Sequence, residues 1–349
     1  MTIEIAGRPI GADHPPFVIA EMSGNHNQSL DRAMAIVEAA AQAGAHAIKL
    51  QTYTAETMTL DVRGGSFEIN DPNSLWSGKN LHDLYKQAYT PWEWHSPIME
   101  RARELGLICF SSPFDESAVD FLMELDVPAF KIASFENNHL PLIQKAASTG
   151  RPLIISTGMA SLGELELAVS TAREAGCEQL ILLKCTSTYP ATPENTNIST
   201  IPHLKQLFGA EVGLSDHTMG VGVAVASVAL GASVIEKHFT LSRADGGVDS
   251  AFSLEPDELK NLVLETERSW QALGQVTYGP TAVEQKSLIF RRSIYIAINI
   301  KRGQIFTSEN LKVVRPGDGL APFMYNQIIG KIAKRDYVKG EPLKLDSVL

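Results

Sequence analysis

The sequence predicts an α/β chain that folds as a (β/α)8 TIM barrel followed by a small second domain. Up to Gly274, short β-branched apolar runs alternate with longer stretches of helical periodicity. Continuous apolar runs of this kind are typical of parallel strands buried on both faces. After Tyr278 this alternation stops, and short strands with tight turns follow. An open, doubly wound sheet is the alternative for the first part, since periodicity does not show that a sheet closes.

Eight apolar runs are predicted to be strands, and eight βα units in this length match the size of a (β/α)8 barrel. The predicted strands are residues 17–22, 46–52, 107–112, 129–134, 153–158, 179–186, 211–216 and 233–239. Helical periodicity marks SLDRAMAIVEAAAQAGA, PWEWHSPIMERARELG, ESAVDFLMELD, SLGELELAVSTAREAG and PDELKNLVLETERSWQALG. Glycine ends several of these stretches, as is common at helix C-termini.

A long segment, residues 54–90, separates the second predicted strand from its helix. Loops of this length are uncommon unless they are functional or disordered. On a barrel this insertion would lie over the carboxyl end of the strands, where substrates bind.

The change of pattern after Tyr278 predicts a domain boundary. We assign residues 1–279 to the barrel, 280–287 to a linker and 288–349 to the small domain. A domain of that size is marginal by itself and is expected to dock on another surface.

Composition excludes several classes of protein. The net charge of −10 argues against a nucleic-acid surface, which needs a basic stripe. No segment reaches the roughly 18 uninterrupted apolar residues that span a membrane, and the N-terminus lacks the pattern of a signal peptide. Three cysteines, an odd number, indicate buried free thiols rather than disulfides, and we expect a cytoplasmic protein. Cys185 is predicted to be inert, because no base is near it in the sequence.

Functional residues of a barrel come from the carboxyl ends of its strands. Polar residues end every predicted strand here, and two lysines, Lys49 and Lys131, sit inside apolar runs. Lysine is rarely buried unless it is paired, so an anionic ligand such as phosphate or carboxylate is a natural partner. A structural pairing with a carboxylate, for instance Glu21, is the alternative. No glycine-rich nucleotide motif follows any strand.

Two histidines, His217 and His238, lie one βα unit apart and are expected on adjacent strand ends. Imidazole combined with oxygen ligands suits a borderline divalent ion such as Mn²⁺. By spacing alone, histidine packing without a metal remains the alternative.

The motifs IAEMSGNHNQSLDRAM, AIKLQT, SSPFD, KIASFE, PLIISTGM, LLKCTSTYP, GLSDHT and IEKHF resemble those of the sialic-acid synthase family. The terminal RRSIYIAINIKRGQIFTSENLKVVRPGDG resembles the SAF, or type III antifreeze-like, domain of that family. The motifs occur in the family's order from about Phe17 to the end of the chain. The resemblance implies a barrel enzyme, a transferase that condenses phosphoenolpyruvate with an amino-sugar aldehyde and uses Mn²⁺ or Mg²⁺.

The resemblance also implies roles for residues of this sequence. Glu21 matches the catalytic carboxylate, and His217 and His238 match the metal ligands. The positions that contact phosphoenolpyruvate are Lys49, Ser112, Lys131, Ser134, Ser156 and Ser215. The positions assigned to the sugar are Gln51, Glu136, Tyr189, Asp249 and Arg315. Arg315 matches an arginine that reaches the partner's active site, which implies a domain-swapped homodimer.

The motifs QTYT, NLHDLYKQAYTPWEWH, SSPFD and LLKCTS resemble the branch of the family that makes pseudaminic acid. The sugar implied is 2,4-diacetamido-2,4,6-trideoxy-L-altrose, and Phe135 is either a contact of its apolar end or a packing residue under the loop. A synthase for N-acetylneuraminate or legionaminic acid is the alternative within the family. An inactive sugar-binding homologue is the alternative outside enzymes.

Overall fold

The computed structural model describes residues 3–345 of the chain. The chain divides into two compact units, one that runs to Gly274 and one that begins at Gln275. Eight parallel strands of the first unit close into a barrel, so the predicted (β/α)8 fold is confirmed and the open sheet is wrong. Among the helices within residues 3–345, none is both long and apolar enough to cross a lipid bilayer.

The strands form a hairpin, a barrel and a second two-stranded sheet. They are β1 (Ile3–Ile5), β2 (Arg8–Ile10), β3 (Phe17–Glu21), β4 (Ala47–Thr52), β5 (Ile108–Pro113), β6 (Phe130–Ile132), β7 (Leu153–Ser156), β8 (Leu180–Cys185), β9 (Glu211–Ser215), β10 (Val234–His238), β11 (Ser293–Ile296) and β12 (Leu311–Val314). Strands β3 to β10 follow one another around the barrel. Pairing of β10 with β3 closes it, and this register places His238 beside Glu21.

The helices alternate with the barrel strands. They are α1 (Leu30–Gln42), α2 (Ala55–Met58), α3 (Leu81–Ala88), α4 (His95–Glu104), α5 (Glu116–Glu124), α6 (Leu140–Ala147), α7 (Leu162–Glu174), α8 (Thr200–Phe208), α9 (Gly222–Ala229), α10 (Pro256–Leu273) and α11 (Tyr325–Ile328). Side-chain caps define several starts: Ser29 accepts a hydrogen bond from the Arg32 amide at α1, and Ser161 with Glu164 forms a capping box at α7.

Two apolar cores hold the first unit together. One lies between the barrel strands and the surrounding helices. The other fills the barrel interior, where Phe17, Phe110 and Ile181 pack together with Ile5 and Ile10 of the β1–β2 hairpin. The hairpin thus closes the amino end of the barrel, a feature that the sequence analysis does not predict.

The insertion, residues 54–90, carries the two short helices α2 and α3. The Thr54 hydroxyl accepts from the Thr57 amide at the start of α2. The Asn80 side chain accepts from the His82 and Asp83 amides at the start of α3. Local capping therefore gives this segment defined structure, where the sequence analysis predicts only a loop.

The second unit has its own small core. Strands β11 and β12 pair antiparallel, and Ile294, Phe306, Leu311 and Tyr337 belong to one apolar cluster. Residues that overlap the predicted linker 280–287 form a 3-10 helix, Glu284–Phe290. The predicted domain limits at 279 and 288 stay a prediction.

Candidate functional site

The polar residues that end the barrel strands come together at the carboxyl end of the barrel. Side chains along a strand alternate between its two faces, so Lys49 and Gln51 of β4 share a face. Glu21 of β3 lies beside Lys49 in the register, and Gln51 lies beside Ser112 of β5. Glu21, Lys49 and Ser112 are all buried.

Four charged side chains, Glu21, Lys49, Lys131 and Glu236, form a buried charge cluster in this end of the barrel. The Lys49 ammonium lies 2.6 Å from Glu21 Oε2 and 3.9 Å from Glu236 Oε2. The Lys131 ammonium donates to Glu236 Oε1 at 3.3 Å. Two positive and two negative charges therefore neutralise one another in a place where an isolated charge would be costly.

Burial and mutual attraction set the pKa values of this cluster. Burial raises the pKa of Glu21 to about 7, although Lys49 opposes the shift. The pKa of Glu236 is lowered, because Lys131 and Lys49 together outweigh the effect of burial. Burial lowers the pKa of Lys131, and Glu236 offsets only part of this. Glu21 is thus the carboxyl group of the cluster that is poised to exchange a proton near neutral pH.

Hydroxyl groups surround the charge cluster. The Lys49 ammonium donates to Ser112 Oγ at 3.1 Å, and the Ser215 hydroxyl donates to Glu236 Oε1 at 3.1 Å. Ser134 Oγ accepts from the Gly158 amide at 3.2 Å. The buried Ser156 hydroxyl has no hydrogen-bond partner within residues 3–345. A buried donor without a partner is costly, so Ser156 is available to a ligand.

The two histidines lie side by side, with ring centroids 5.3 Å apart. His217 Nδ1 is 2.9 Å from the Thr186 carbonyl oxygen, so its Nε2 is left to face a ligand. His238 Nδ1 is buried without a hydrogen-bond partner, and Asp249 Oδ2 is 3.9 Å from it. Burial, followed by the His217 charge, holds the pKa of His238 well below its usual range, which favours the neutral form that binds metals.

These two imidazoles suit a divalent metal ion that takes its remaining ligands from water or substrate. In the described part of the chain, no group of three or more His, Cys, Asp or Glu side chains is arranged to hold a metal by itself. His217 and His238 are the candidate ligands. The observation that favours them is that His238 Nδ1 is buried without a hydrogen-bond partner among the described residues.

Cys185 lies closer to a base than the sequence analysis predicts. Its Sγ is 3.9 Å from His217 Nδ1, because strands β8 and β9 are adjacent. Burial raises the pKa of the thiol, but the hydrogen bond and charge of His217, together with Ser134 and Lys131, outweigh burial and lower the pKa to about 7. The imidazole is 32 residues away in sequence, so local sequence could not reveal this pair.

Three of the residues assigned to the sugar line one cavity of about 270 Å³, namely Gln51, Tyr189 and Asp249. Gln51 Nε2 donates to Glu21 Oε1 at 2.9 Å, and the Tyr189 ring lies 4.5 Å from the His217 ring. Burial raises the pKa of Glu136 to about 7. Its Oε2 has no hydrogen-bond partner among the described residues.

Arg315 lies in the second unit, directly after β12, and its side chain is exposed. Its assignment to the sugar site of a partner subunit stays a prediction.

Two residues of the site have no role in the sequence analysis. Glu236 accepts hydrogen bonds from the Lys131 ammonium and the Ser215 hydroxyl, and it is one of the polar strand-end residues to which the sequence analysis assigns no individual role. Ser23 donates a short hydrogen bond to Asp249 Oδ2. The strand-end position in IEKHF is the signal that could have identified Glu236, while Ser23 carries no signal of its own.

Comparison with known proteins identifies the family. Residues 36–278 match the model of the NeuB family, and residues 291–349 match the SAF domain. The chain is 44% identical to pseudaminic acid synthase of Campylobacter jejuni, over 95% of this chain and 96% of that protein. It is 36% identical to N,N'-diacetyllegionaminic acid synthase of the same species, over 94% and 98%.

A solved structure shows the same fold. The crystal structure of N-acetylneuraminic acid (sialic acid) synthetase from Leptospira borgpetersenii in complex with citrate has a TM-score of 0.73 to this chain. The two are 34% identical, and the match covers 82% of this chain and 95% of the other. The resemblance to the sialic-acid synthase family is therefore confirmed. The chain belongs to the NeuB family, and its C-terminal part is a SAF domain.

Proposed function

We propose that this protein is a transferase that condenses phosphoenolpyruvate with 2,4-diacetamido-2,4,6-trideoxy-L-altrose to give pseudaminic acid and phosphate. The observation that carries the proposal is the buried charge cluster beside two imidazoles at the carboxyl end of a closed barrel. The relative at 44% identity is a pseudaminic acid synthase, which supports this choice of sugar.

The lysines of the charge cluster are suited to hold phosphoenolpyruvate. Lys49 and Lys131 are compact point charges that can meet its phosphate and carboxylate. Before substrate arrives, Glu21 and Glu236 are the ion-pair partners of these lysines inside the barrel. The hydroxyl of Ser156, which lacks a partner, adds a donor for the same anion.

The first chemical step joins C3 of phosphoenolpyruvate to the aldehyde carbon of the open-chain sugar. The electron pair of the enol double bond forms the new C–C bond, and the aldehyde oxygen takes up a proton from the solvent to become a hydroxyl. Positive charge then develops at C2. The ionised form of Glu21, next to the lysine that holds the substrate, is placed to stabilise that charge.

The second step adds water to C2. Glu21 can accept a proton from this water, because its pKa of about 7 suits a general base near neutral pH. The tetrahedral centre at C2 then loses its phosphate by C–O cleavage, its hydroxyl proton passes to the departing phosphate, and C2 becomes the keto carbon of the product. Lys49 and Lys131 remain to hold the phosphate as it leaves.

A divalent ion, Mn²⁺ or Mg²⁺, is the proposed cofactor, with His217 and His238 as its protein ligands. When bound, such an ion supplies Lewis acidity for the aldehyde oxygen. Hydrogen bonding of His217 Nδ1 to the Thr186 carbonyl orients that ring toward the site.

The proposal is tested by incubating the purified protein with phosphoenolpyruvate, Mn²⁺ and one candidate sugar at a time. Phosphate release and the product mass are measured. We expect turnover with the diacetamido trideoxy altrose and its loss with excess EDTA. Phosphate release with N-acetylmannosamine or the legionaminic acid precursor, and none with the altrose derivative, would overturn the choice of sugar. Sugar binding without phosphate release from any of them would point instead to an inactive homologue.

We also propose a domain-swapped homodimer in which Arg315 of one subunit contacts the sugar in the barrel of the other. The exposed position of Arg315 after β12 is compatible with such a contact. Arg315→Ala and Glu21→Gln are each expected to be nearly inactive, and refolding them together should restore activity in mixed dimers. A monomer by sedimentation, or no recovery in the mixture, would contradict the swap.

A further inference from the structure

An apolar chamber of about 270 Å³ opens at the carboxyl end of the barrel. It is slightly smaller than the roughly 300–1,000 Å³ of typical small-molecule sites, so it suits part of one small ligand. Its lining is mixed in chemistry. Gln51, which donates to Glu21, and Asp249, which lies 3.9 Å from His238 Nδ1, are its polar residues beside the site, while Met58, Ile69 and Leu84 of the insertion contribute an apolar part of the wall.

Aromatic rings form much of the remaining wall. The Tyr53 ring packs edge-on against Phe114, with centroids 5.1 Å apart, and against Tyr85 at 5.8 Å. Phe135 also lines the chamber, yet 58% of its surface is exposed. Its ring lies 6.5 Å from that of Tyr189. Phe135 therefore lies at the mouth of the chamber, where it is open to solvent and can contact a ligand.

The wall that the insertion contributes is fixed to the barrel. Trp76 lines the chamber, and its indole Nε1 donates to the Val248 carbonyl oxygen at 2.9 Å, one residue before Asp249. At the end of the insertion, Gln28 Nε2 donates to the Tyr89 carbonyl oxygen at 2.6 Å. The chamber is therefore formed before any ligand enters it, which lowers the ordering cost of binding.

We propose that this chamber selects the deoxygenated end of the amino sugar, and that Met58, Ile69 and Leu84 are specificity-determining residues. The methyl group at C6 occupies the apolar end, while the aldehyde faces Gln51 and Asp249. This inference rests on the proposed function, because it assumes that an open-chain amino sugar reacts at the charge cluster.

The layout along β4 sets the direction of the sugar. Gln51 follows Lys49 by two residues on the same face, so it lies roughly 7 Å nearer the mouth of the barrel. The reacting aldehyde must meet phosphoenolpyruvate near Lys49, so the far end of the sugar points away from the cluster. There, Met58, Ile69 and Leu84 of the insertion present hydrocarbon or thioether groups that offer no strong hydrogen-bond partner. The Trp76 N–H is already engaged by the Val248 carbonyl oxygen, and the Tyr85 hydroxyl is a polar group that the insertion adds elsewhere on the wall.

A hydroxyl at C6 that packs against Met58, Ile69 and Leu84 would be buried without a strong hydrogen-bond partner in those side chains. Apolar pockets discriminate against an added hydroxyl only moderately, by up to about 10²-fold. We expect kcat/KM for the 6-deoxy sugar to exceed that for its 6-hydroxy analogue, 2,4-diacetamido-2,4-dideoxy-L-altrose, by roughly 10- to 100-fold.

The experiment compares these two sugars in the wild-type protein and in three variants. Ile69→Thr and Met58→Gln place polar groups on the chamber wall with little change in size. Val62→Thr makes the same kind of change in the same insertion, but Val62 does not line the chamber. We measure kcat/KM for each sugar with saturating phosphoenolpyruvate, the KM for phosphoenolpyruvate, and the dissociation constant of each sugar by calorimetry.

We expect the preference for the 6-deoxy sugar to fall at least about fivefold in Ile69→Thr and Met58→Gln, through weaker binding of that sugar. The KM for phosphoenolpyruvate and the preference of Val62→Thr should not change. An unchanged preference in both folded chamber variants, or an equal change in Val62→Thr, would overturn the inference.

The binding measurement separates this inference from the proposed function. If the wild-type protein binds the 6-deoxy sugar selectively but never releases phosphate, the proposed function fails and the chamber assignment stands. If it turns over both sugars equally well, the chamber assignment fails and the reaction stands. Absence of sugar binding would overturn both.

Discussion

Replacing Glu236 by glutamine removes one negative charge from the buried cluster and leaves the Lys131 ammonium without a charged partner at hydrogen-bond distance. The two groups are 3.3 Å apart, and their side chains are only 2% and 6% exposed. Unit charges at that distance attract by about 5 kcal/mol at an effective dielectric constant of about 20. Removing one member of a buried pair typically costs about 3–5 kcal/mol. We therefore expect Glu236→Gln to lower the free energy of unfolding by about 3–5 kcal/mol.

Urea unfolding followed by tryptophan fluorescence, without ligands, measures this change. Glu104→Gln is the matched control, because it makes the same substitution in the Arg101–Glu104 pair, where Glu104 is 57% exposed. That control should lose less than about 1 kcal/mol. The double variant Lys131→Met with Glu236→Gln should be more stable than Glu236→Gln alone, because no uncompensated charge remains. Equal losses in Glu236→Gln and Glu104→Gln would refute the reasoning.

Three further predictions concern activity, pH and metal binding. Glu21→Gln should lower kcat by about 10²–10⁴-fold in the phosphate-release assay, and a change in KM alone would contradict its role as a base. Burial raises the pKa of Glu136 from 4.5 to about 7, so its ionisation opposes folding: stability is full below about pH 4.5 and falls as pH rises through about 7. Glu136→Gln should remove that fall and have a free energy of unfolding at pH 8 that exceeds the wild-type value by at most about 3 kcal/mol. Parallel curves of stability against pH for the two proteins from pH 4.5 to 8 would exclude this effect of Glu136. His217→Ala should lose bound Mn²⁺ in elemental analysis and calorimetry while the exposed-site variant His203→Ala keeps it, and equal metal content in the two would remove His217 as a ligand.

Much of the barrel could be predicted because most of its strands contain an apolar run that ends in polar residues. Strand β8, for example, reads LILLKC and is buried along nearly its whole length. The β1–β2 hairpin escaped prediction because its strands have three residues each, too few for a period to appear. Helix α3 escaped for a related reason: its apolar residues Leu81, Leu84, Tyr85 and Ala88 have helical spacing, but eight residues are too few for that pattern to stand out within a long insertion.

The candidate site could be predicted only in part. The proximity of the two histidines could be predicted from their spacing, because residues one βα unit apart lie at the ends of adjacent strands. The pairing of Lys131 with Glu236 joins residues 105 apart in sequence, and it becomes visible only once the barrel closes. The chamber wall has the same limitation, because the insertion must fold back over the barrel before Met58 and Ile69 can share a cavity with Asp249.

The hairpin at the amino end of the barrel has a consequence for the kinetics. Ile5 and Ile10 are essentially inaccessible, so that end offers no passage, and ligands exchange through the opposite end. Lys49 lies deeper in the barrel than Gln51 along β4, so a molecule bound in the chamber would lie between the solvent and the charge cluster. We therefore expect an ordered sequence, in which phosphoenolpyruvate binds before the sugar. A dead-end sugar analogue can occupy the chamber before or after phosphoenolpyruvate binds, so initial-rate measurements should give mixed inhibition against phosphoenolpyruvate.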